Sequence, residues 1–294
     1  MGKSIFRMML SFVLVVCIPL AVAQSAREMR KQTEASMLVT GHVLVDEEGN
    51  VSGWEIDRPE KLPPVVVRLV ERSAPIWKFE PVLVDGQPSK AKARMSLRLV
   101  ANQQDDGDYQ ISIRSGYFGE EALRPEERME LAGTNEVQSI DMHPPFYPVH
   151  AVRLGAQGTV YLIVRVNRKG LVDDVFPEQV NLKTLGNEKQ MDRMREMLAR
   201  PALNAASRWK FQIPTTGDLA DNPFWLIRVP VDFDLTPNAG PEYGEWDAYI
   251  PGPRHKAPWQ DAGLDPNDSP DAMVAGGIYQ VGKGLRLLTP LQQG

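Results

Sequence analysis

The sequence predicts an α+β fold made of two tandem units, each a small antiparallel sheet packed against a helix. Apolar and polar residues alternate along several segments, which is typical of strands with one buried face. Glycine-containing turns separate neighbouring segments of this kind. The order strand, glycine turn, strand, helix, Trp-Lys-Phe, last strand occurs twice along the chain. A repeated order of elements indicates an internal duplication.

The second unit is predicted over residues 141–236. Its first strand is Thr159–Asn167, its turn contains Gly170, and its last strand is Phe224–Leu235. We expect a helix from Glu188 to cover the sheet, to end at Pro201 and to be followed by a second short helix. Methionines at helical spacing in this stretch are interpreted as core residues. Side chains alternate across a strand, so one face of the last strand carries its large apolar residues: Trp225, Ile227, Val229, Val231 and Phe233.

The first unit is predicted over residues 24–101 as a diverged copy. Its strands are Met37–Asp46, Val51–Ile56 and Ala93–Val100, and its helix lies within Leu62–Ala74. The two copies align Gly49 with Gly170 and Trp77-Lys-Phe79 with Trp209-Lys-Phe211. The sequence therefore predicts that both copies fold around the same turn.

The remaining segments are predicted to lie outside the two units. Residues 1–23 have the basic start, apolar middle and Ala-Val-Ala end of a signal peptide, which predicts export and a periplasmic chain beginning at Gln24. The alternative is an uncleaved inner-membrane anchor, although the apolar run is shorter than the ~20 residues that span a bilayer. Residues 102–140 are predicted to be a linker with an extra strand at Tyr109–Arg114. Residues 237–294, rich in Pro and Gly, are predicted to be largely disordered.

Composition and motifs favour a protein without catalytic chemistry. The net charge is −5, which argues against nucleic-acid binding. The chain has no nucleotide-binding or hydrolase motif, and its four histidines lack metal-ligand spacing. The only cysteine, Cys17, lies in the predicted signal peptide. We therefore expect no enzyme activity, cofactor, metal ion or small-molecule substrate.

An ordered set of residues in the second unit resembles the C-terminal domain of the TonB family. The set comprises the Pro-x-Tyr-Pro segment, two turn glycines, the Trp-Lys-Phe segment and an apolar last strand: Pro145, Tyr147, Pro148, Gly158, Gly170, Trp209 and Phe211, then Phe224–Leu235. The resemblance covers about ninety residues and implies a three-stranded antiparallel sheet packed on a helix. It also implies contact with outer-membrane transporters and passage of energy from inner-membrane motor proteins.

The resemblance further implies that a transporter segment pairs with the last strand by strand addition. The candidate partner-binding residues on that edge strand are Trp225, Ile227, Arg228, Val229, Val231 and Phe233. Pro230 lies inside this strand, and proline is confined to sheet edges or bulges because it lacks an N–H. We therefore expect the strand to be a solvent-open edge. The alternative is a non-enzymatic periplasmic scaffold or binding protein that keeps the fold without motor coupling.

Overall fold

The computed structural model describes residues 34–84, 86–104, 107–119, 135–217, 219–235, 241–259, 270–282 and 284–291. The predicted signal peptide and most of the charged stretch after Gly119 lie outside the described residues. The strands are β1 Glu34–Val45, β2 Val51–Ile56, β3 Val82–Val84, β4 Gln87–Ser89, β5 Ala91–Gln103, β6 Tyr109–Phe118, β7 Gln138–Asp141, β8 Gly158–Asn167, β9 Val172–Leu182, β10 Lys210–Gln212, β11 Phe224–Phe233, β12 Asp247–Tyr249 and β13 Tyr279–Gln280. The helices are α1 Pro64–Ser73, α2 Val149–Arg153 and α3 Glu188–Ala206, with short 3₁₀ turns at Pro59–Lys61, Ala74–Ile76 and Pro270–Ala272.

The first unit is an antiparallel sheet covered by α1. Strand β5 lies between β1 and β6, and the other edge of β1 pairs with β2 and, at its start, with β12. Alternate side chains of β1 and β5 point toward the helix and are buried with Trp77 and Phe79. On α1 the buried apolar positions Val66, Leu69 and Val70 recur at helical spacing, so one stripe of the helix closes this core.

The second unit repeats this arrangement with a longer helix. The strand order is β13-β11-β8-β9, and all neighbours are antiparallel. Apolar side chains from β8 and β11 form one core with α3, whose buried positions are Met191, Met194, Leu198, Ala202 and Ala206. Mostly antiparallel strands with a few helices confirm the predicted α+β class.

Helix α3 does not end at Pro201, contrary to prediction. It begins with a capping box between Asn187 and Gln190 and continues to Ala206 with Pro201 inside it. A proline in a helix interior removes one backbone hydrogen bond. The buried side chains on either side of it, Leu198 and Ala202, lie on the same core face. Packing of that face on the sheet therefore outweighs the local preference for a break.

The segment after residue 240 is folded in its described parts, so the prediction of a largely disordered tail is wrong there. It contributes β12 to the first sheet and β13 to the second. Several of its side chains are buried, including Tyr249, Ile250, Met273 and Tyr279. Its isolated aromatic and aliphatic residues pack against surfaces supplied by the two units, and such packing leaves no regular pattern in the sequence.

The segment between the units also contains regular structure. Strand β6 occupies Tyr109–Phe118, where the alternating pattern predicted an extra strand, and it pairs with β5 over its length. Strand β7 pairs with the short β10 next to Trp209. Within the described residues, no helix has both the length and the apolar character that crossing a bilayer requires.

Candidate partner-binding edge

Strand β11 forms because its residues alternate between a core face and an opposite face. The apolar candidate residues all point into the core beneath α3, and each is at most 8% exposed: Trp225, Ile227, Val229, Val231 and Phe233. The Trp225 indole N–H donates to the Leu219 carbonyl at 3.0 Å. These side chains hold the sheet on its helix, so only the backbone and the opposite face of β11 could meet a partner.

The backbone of β11 divides its hydrogen bonds between two edges. One edge pairs with β8 in continuous register from Phe224–Asn167 to Phe233–Gly158. On the other edge, the Val281 N–H donates to the Leu226 carbonyl at 2.8 Å and the Gly276 N–H to the Pro230 carbonyl at 3.3 Å. Pro230 therefore presents its backbone to the edge away from β8, where its missing N–H does not interrupt the β8 ladder.

This outer edge is not open over Leu226–Pro230, contrary to the expectation of a solvent-open strand. In the β13 ladder, Ile227 is opposite Gln280 and Arg228 is opposite Tyr279. The equivalent strand of the first unit, β5, is also covered, because β6 pairs with it from Met95 to Gln103. The chain itself supplies the neighbouring strand in both units.

Arg228 lies on the opposite face of β11 and forms a buried ion pair. Its guanidinium donates to the Glu178 carboxylate of β9 at 2.6 and 3.2 Å, and both side chains are 1% exposed. The same carboxylate accepts two hydrogen bonds from Arg254, at 2.7 and 3.0 Å. The His255 N–H donates to the Glu178 carbonyl at 2.7 Å. Arg228 therefore joins β11, β9 and the tail, and is not a free side chain for a partner.

The Pro-x-Tyr-Pro segment is fixed to the end of β11 through Tyr147. The Tyr147 hydroxyl donates to the Ala156 carbonyl at 2.5 Å, and its ring packs edge-on against Phe233 with centroids 5.4 Å apart. Burial raises the pKa of Tyr147 to about 12, so the hydroxyl stays protonated at neutral pH. Pro145 and Pro148 flank this anchor, and Pro148 precedes the first residue of α2. Between them, Phe146 is 92% exposed.

The remaining residues of the predicted motif hold the first hairpin of the second unit. A Cβ at Gly170, whose φ is +73°, would lie 2.0 Å from the Phe211 carbonyl oxygen. The Phe211 N–H donates to the Gly170 carbonyl at 2.8 Å, and the Trp209 indole N–H donates to the His143 carbonyl at 2.9 Å. A Cβ at Gly158 would lie 2.1 Å from the Asn181 carbonyl oxygen. Close backbone contacts therefore require glycine at both positions.

The first unit contains the same contacts at its own turn. The Phe79 N–H donates to the Gly49 carbonyl at 2.7 Å, and a Cβ at Gly49 would again lie 2.0 Å from the Phe79 carbonyl oxygen. A side-chain oxygen of Asp46 accepts backbone N–H groups two and four residues later, as Asn167 does in the second unit. The Trp77 indole N–H also donates to a backbone carbonyl, that of Leu291.

The arginines on the opposite face of the first sheet have partners within the chain. Arg94 donates to both Asp57 carboxylate oxygens, at 3.1 and 2.8 Å, and Arg98 donates to the Asp271 carbonyl at 2.8 Å. Burial alone would raise the pKa of Asp57, but hydrogen bonds from Arg94 and Thr40 outweigh it and lower that pKa. Burial and then the nearby Arg94 lower the pKa of His42. Both of these arginines are therefore paired within the chain.

The residues that cover the outer edge of β11 lie in a segment that the sequence did not predict to be ordered. Ile278-Tyr279-Gln280-Val281 is a short strand-forming run, with glycines at 276, 277 and 282. That pattern could have suggested a strand, but its partner, about fifty residues earlier, is a tertiary contact that periodicity does not identify. Among the residues that the structure describes, no group of three or more His, Cys, Asp or Glu side chains could hold a metal ion.

Part of the chain is similar to known proteins. "Protein TonB" from two strains of Xanthomonas campestris pv. campestris is 35% identical over 106 residues, which are 36% of this chain and 41% of each relative. "Protein tonB2" from Pseudomonas aeruginosa is 34% identical over 91 residues, which are 31% of this chain and 28% of that protein. The chain thus spans about two fifths of the length of the first two relatives. No family profile and no solved structure matches it.

Proposed function

We propose that this chain, a member of the TonB family by its similar segment, acts through protein–protein contact in energy-coupled transport across the outer membrane. The observation that carries the proposal is the 35% identity to TonB proteins over 106 residues. The geometry of the second unit supports it. A sheet whose last strand presents backbone groups to an edge away from the core is a platform for strand addition.

We further propose that the two units are copies of one ancestral domain. The matched turn contacts at Gly49 and Gly170 support this, because both turns meet a Trp-Lys-Phe segment through the same backbone hydrogen bond. In this proposal only the second unit engages a transporter. Its binding surface consists of the outer edge of β11, once residues 276–281 have left it, and the residue at the start of that strand, Phe224, which is 41% exposed.

The proposed partner is an outer-membrane transporter of the TonB-dependent class, and the proposed location is the periplasm after cleavage before Gln24. Inner-membrane motor proteins are a second partner class that the family resemblance implies. An uncleaved N-terminal segment would be required for the chain to be anchored beside them. No catalytic step belongs to this function, since force or contact alone would be transmitted.

Site-specific photo-crosslinking in intact cells tests the proposal. A photoreactive amino acid at Phe224 is expected to give an adduct that contains an outer-membrane transporter, identified by mass spectrometry. The matched control is the same group at Lys189, on the exposed face of α3, where no such adduct is expected. The same spectra give the mature N-terminus, expected at Gln24. Adducts at Phe224 with soluble proteins only, or identical adducts at both positions, would overturn the proposal.

A further inference from the structure

The segment that covers β11 is held to it by few backbone contacts. Only Tyr279 and Gln280 form the β13 ladder, extended by the Val281 N–H to Leu226 and the Gly276 N–H to Pro230. Pro230 offers no N–H in return. Among the described residues, no donor reaches the buried Gln280 side-chain oxygen. A short ladder with an unsatisfied buried acceptor is a weak occupant of a sheet edge.

Glycines separate this segment from the chain on both sides. Gly276 and Gly282 have φ values of +77° and +81°, and Gly284 has a φ of +100°. Left-handed backbone of this kind ends a strand, and glycine adopts it without steric cost. Rotation at these glycines would therefore let the segment between them leave the edge of β11.

Residues of the first unit contact this segment and the residues on either side of it. Tyr117 of β6 packs edge-on against Tyr279, with ring centroids 5.5 Å apart. Just before the segment, Ser96 donates to the Ala272 carbonyl at 2.6 Å and Ser115 donates to the Asp271 carboxylate at 2.7 Å. Just after it, the Leu285 N–H donates to the Phe118 carbonyl at 2.6 Å. The occupant of the second unit's edge is thus positioned by the first unit.

We propose that residues 276–281 are an internal occupant of the β11 edge, held by the first unit, and that a partner strand binds only by replacing them. This inference rests on the proposed function, since it describes how access to the same edge is regulated. The first unit then has a distinct role: it retains the blocking segment and does not itself bind the transporter.

The resident segment also indicates what a partner must offer. Ile278 is 7% and Tyr279 is 1% exposed. A replacement strand without apolar side chains at these two positions would leave the surfaces that Ile278 and Tyr279 now cover in contact with water. The carbonyls of Leu226 and Pro230 require N–H donors from an extended chain. The geometry therefore fits an extended peptide, antiparallel to β11, with an aliphatic residue followed directly by an aromatic one.

A fluorescent peptide with the sequence of residues 274–284 serves as the probe, and its binding to the full chain is measured by anisotropy. Wild type should bind the probe weakly, because the apparent affinity is proportional to the fraction of molecules whose β11 edge is free, and that fraction is small. The Val281→Pro variant lacks the N–H that donates to the Leu226 carbonyl. It should bind the probe at least ~10-fold more tightly than wild type does. The matched control, Val281→Ala, keeps that N–H and should behave like wild type.

A reversible cross-link provides a second measurement that does not depend on the proline variant folding. Ile227 and Gln280 are opposite each other in the ladder, next to the hydrogen-bonded pair of Leu226 and Val281, so their side chains are close enough for a disulfide. In a Cys17→Ser background, Ile227→Cys with Gln280→Cys should bind no probe when oxidised. The reduced protein should bind it at high probe concentration.

Three results would overturn the inference. Wild type binding as tightly as Val281→Pro would mean that the tail does not occupy the edge. Folded Val281→Pro without binding would mean that the edge accepts no strand. Equal binding by the oxidised and reduced forms would place the probe elsewhere. Because the probe contains no transporter sequence, these outcomes are independent of crosslinking at Phe224, whose failure would overturn the proposed function alone.

Discussion

At the residue scale, Glu178 joins three parts of the chain. Its carboxylate accepts hydrogen bonds from Arg228 of the last strand and from Arg254 of the tail. Alternation along β11 predicts that Arg228 lies opposite the core. It does not identify the partner in another strand, Glu178, or the tail residues that contact this ion pair. Long-range charge pairing of this kind leaves no local pattern, so the sequence predicted Arg228 as an exposed binding residue.

Glu178→Gln is predicted to lower the free energy of unfolding by about 3–5 kcal/mol, because it leaves the Arg228 charge buried without its counter-charge. Urea unfolding at neutral pH measures the effect. Arg254→Met is the matched control: Arg254 is one-third exposed, and its loss should cost about 0–1 kcal/mol. Equal costs for the two variants would contradict a dominant role for the buried pair.

At the element scale, strands and helices differ in how well the sequence predicts them. The alternating runs predicted β1, β5, β8 and β11 to within a few residues, because the apolar side chains that each strand turns toward its helix recur at every second position. The break at Pro201 was predicted wrongly, since a local rule competed with the packing of Leu198 and Ala202. The short β13 was missed because two paired residues are too few for any period to appear.

Pro201→Ala is predicted to stabilise the protein by about 1–3 kcal/mol, because alanine restores the N–H that can bond to the Met197 carbonyl. Thermal unfolding by circular dichroism gives the shift. Arg200→Ala, one residue earlier and exposed, should change stability by less than about 0.5 kcal/mol. A destabilised Pro201→Ala would mean that the helix depends on a distortion that only proline supplies.

At the scale of the whole molecule, the segment after residue 240 covers sheet edges in both units. Residues 250–255 bond to β9 at Leu182 and Glu178, while 276–281 bond to β11. Strand β12 extends the first sheet beside β1. Unpaired strand edges promote aggregation, and natural sheets protect them by coverage of this kind. The sequence predicted the two sheets but not the segment that covers them. That segment has no apolar periodicity, and its position is set by contacts with strands that are distant in sequence.

A chain that ends at residue 240 is predicted to aggregate as its concentration rises, because the edges of β9 and β11 become free to pair with other molecules. Static light scattering compares it with the full chain. In the shortened chain, Leu226→Lys should reduce the aggregation, since a charged side chain on an edge strand discourages pairing. A shortened chain that stays as soluble as the full one would show that the tail does not protect these edges.

The covering segment follows in sequence the strands that it covers, and this order has a consequence for folding during synthesis. Strands β8, β9 and β11 are made before residues 250–281. Until those residues have been made, the outer edges of β9 and β11 lack the neighbours that cover them in the folded protein. A chaperone that shields extended backbone during this interval would therefore limit aggregation.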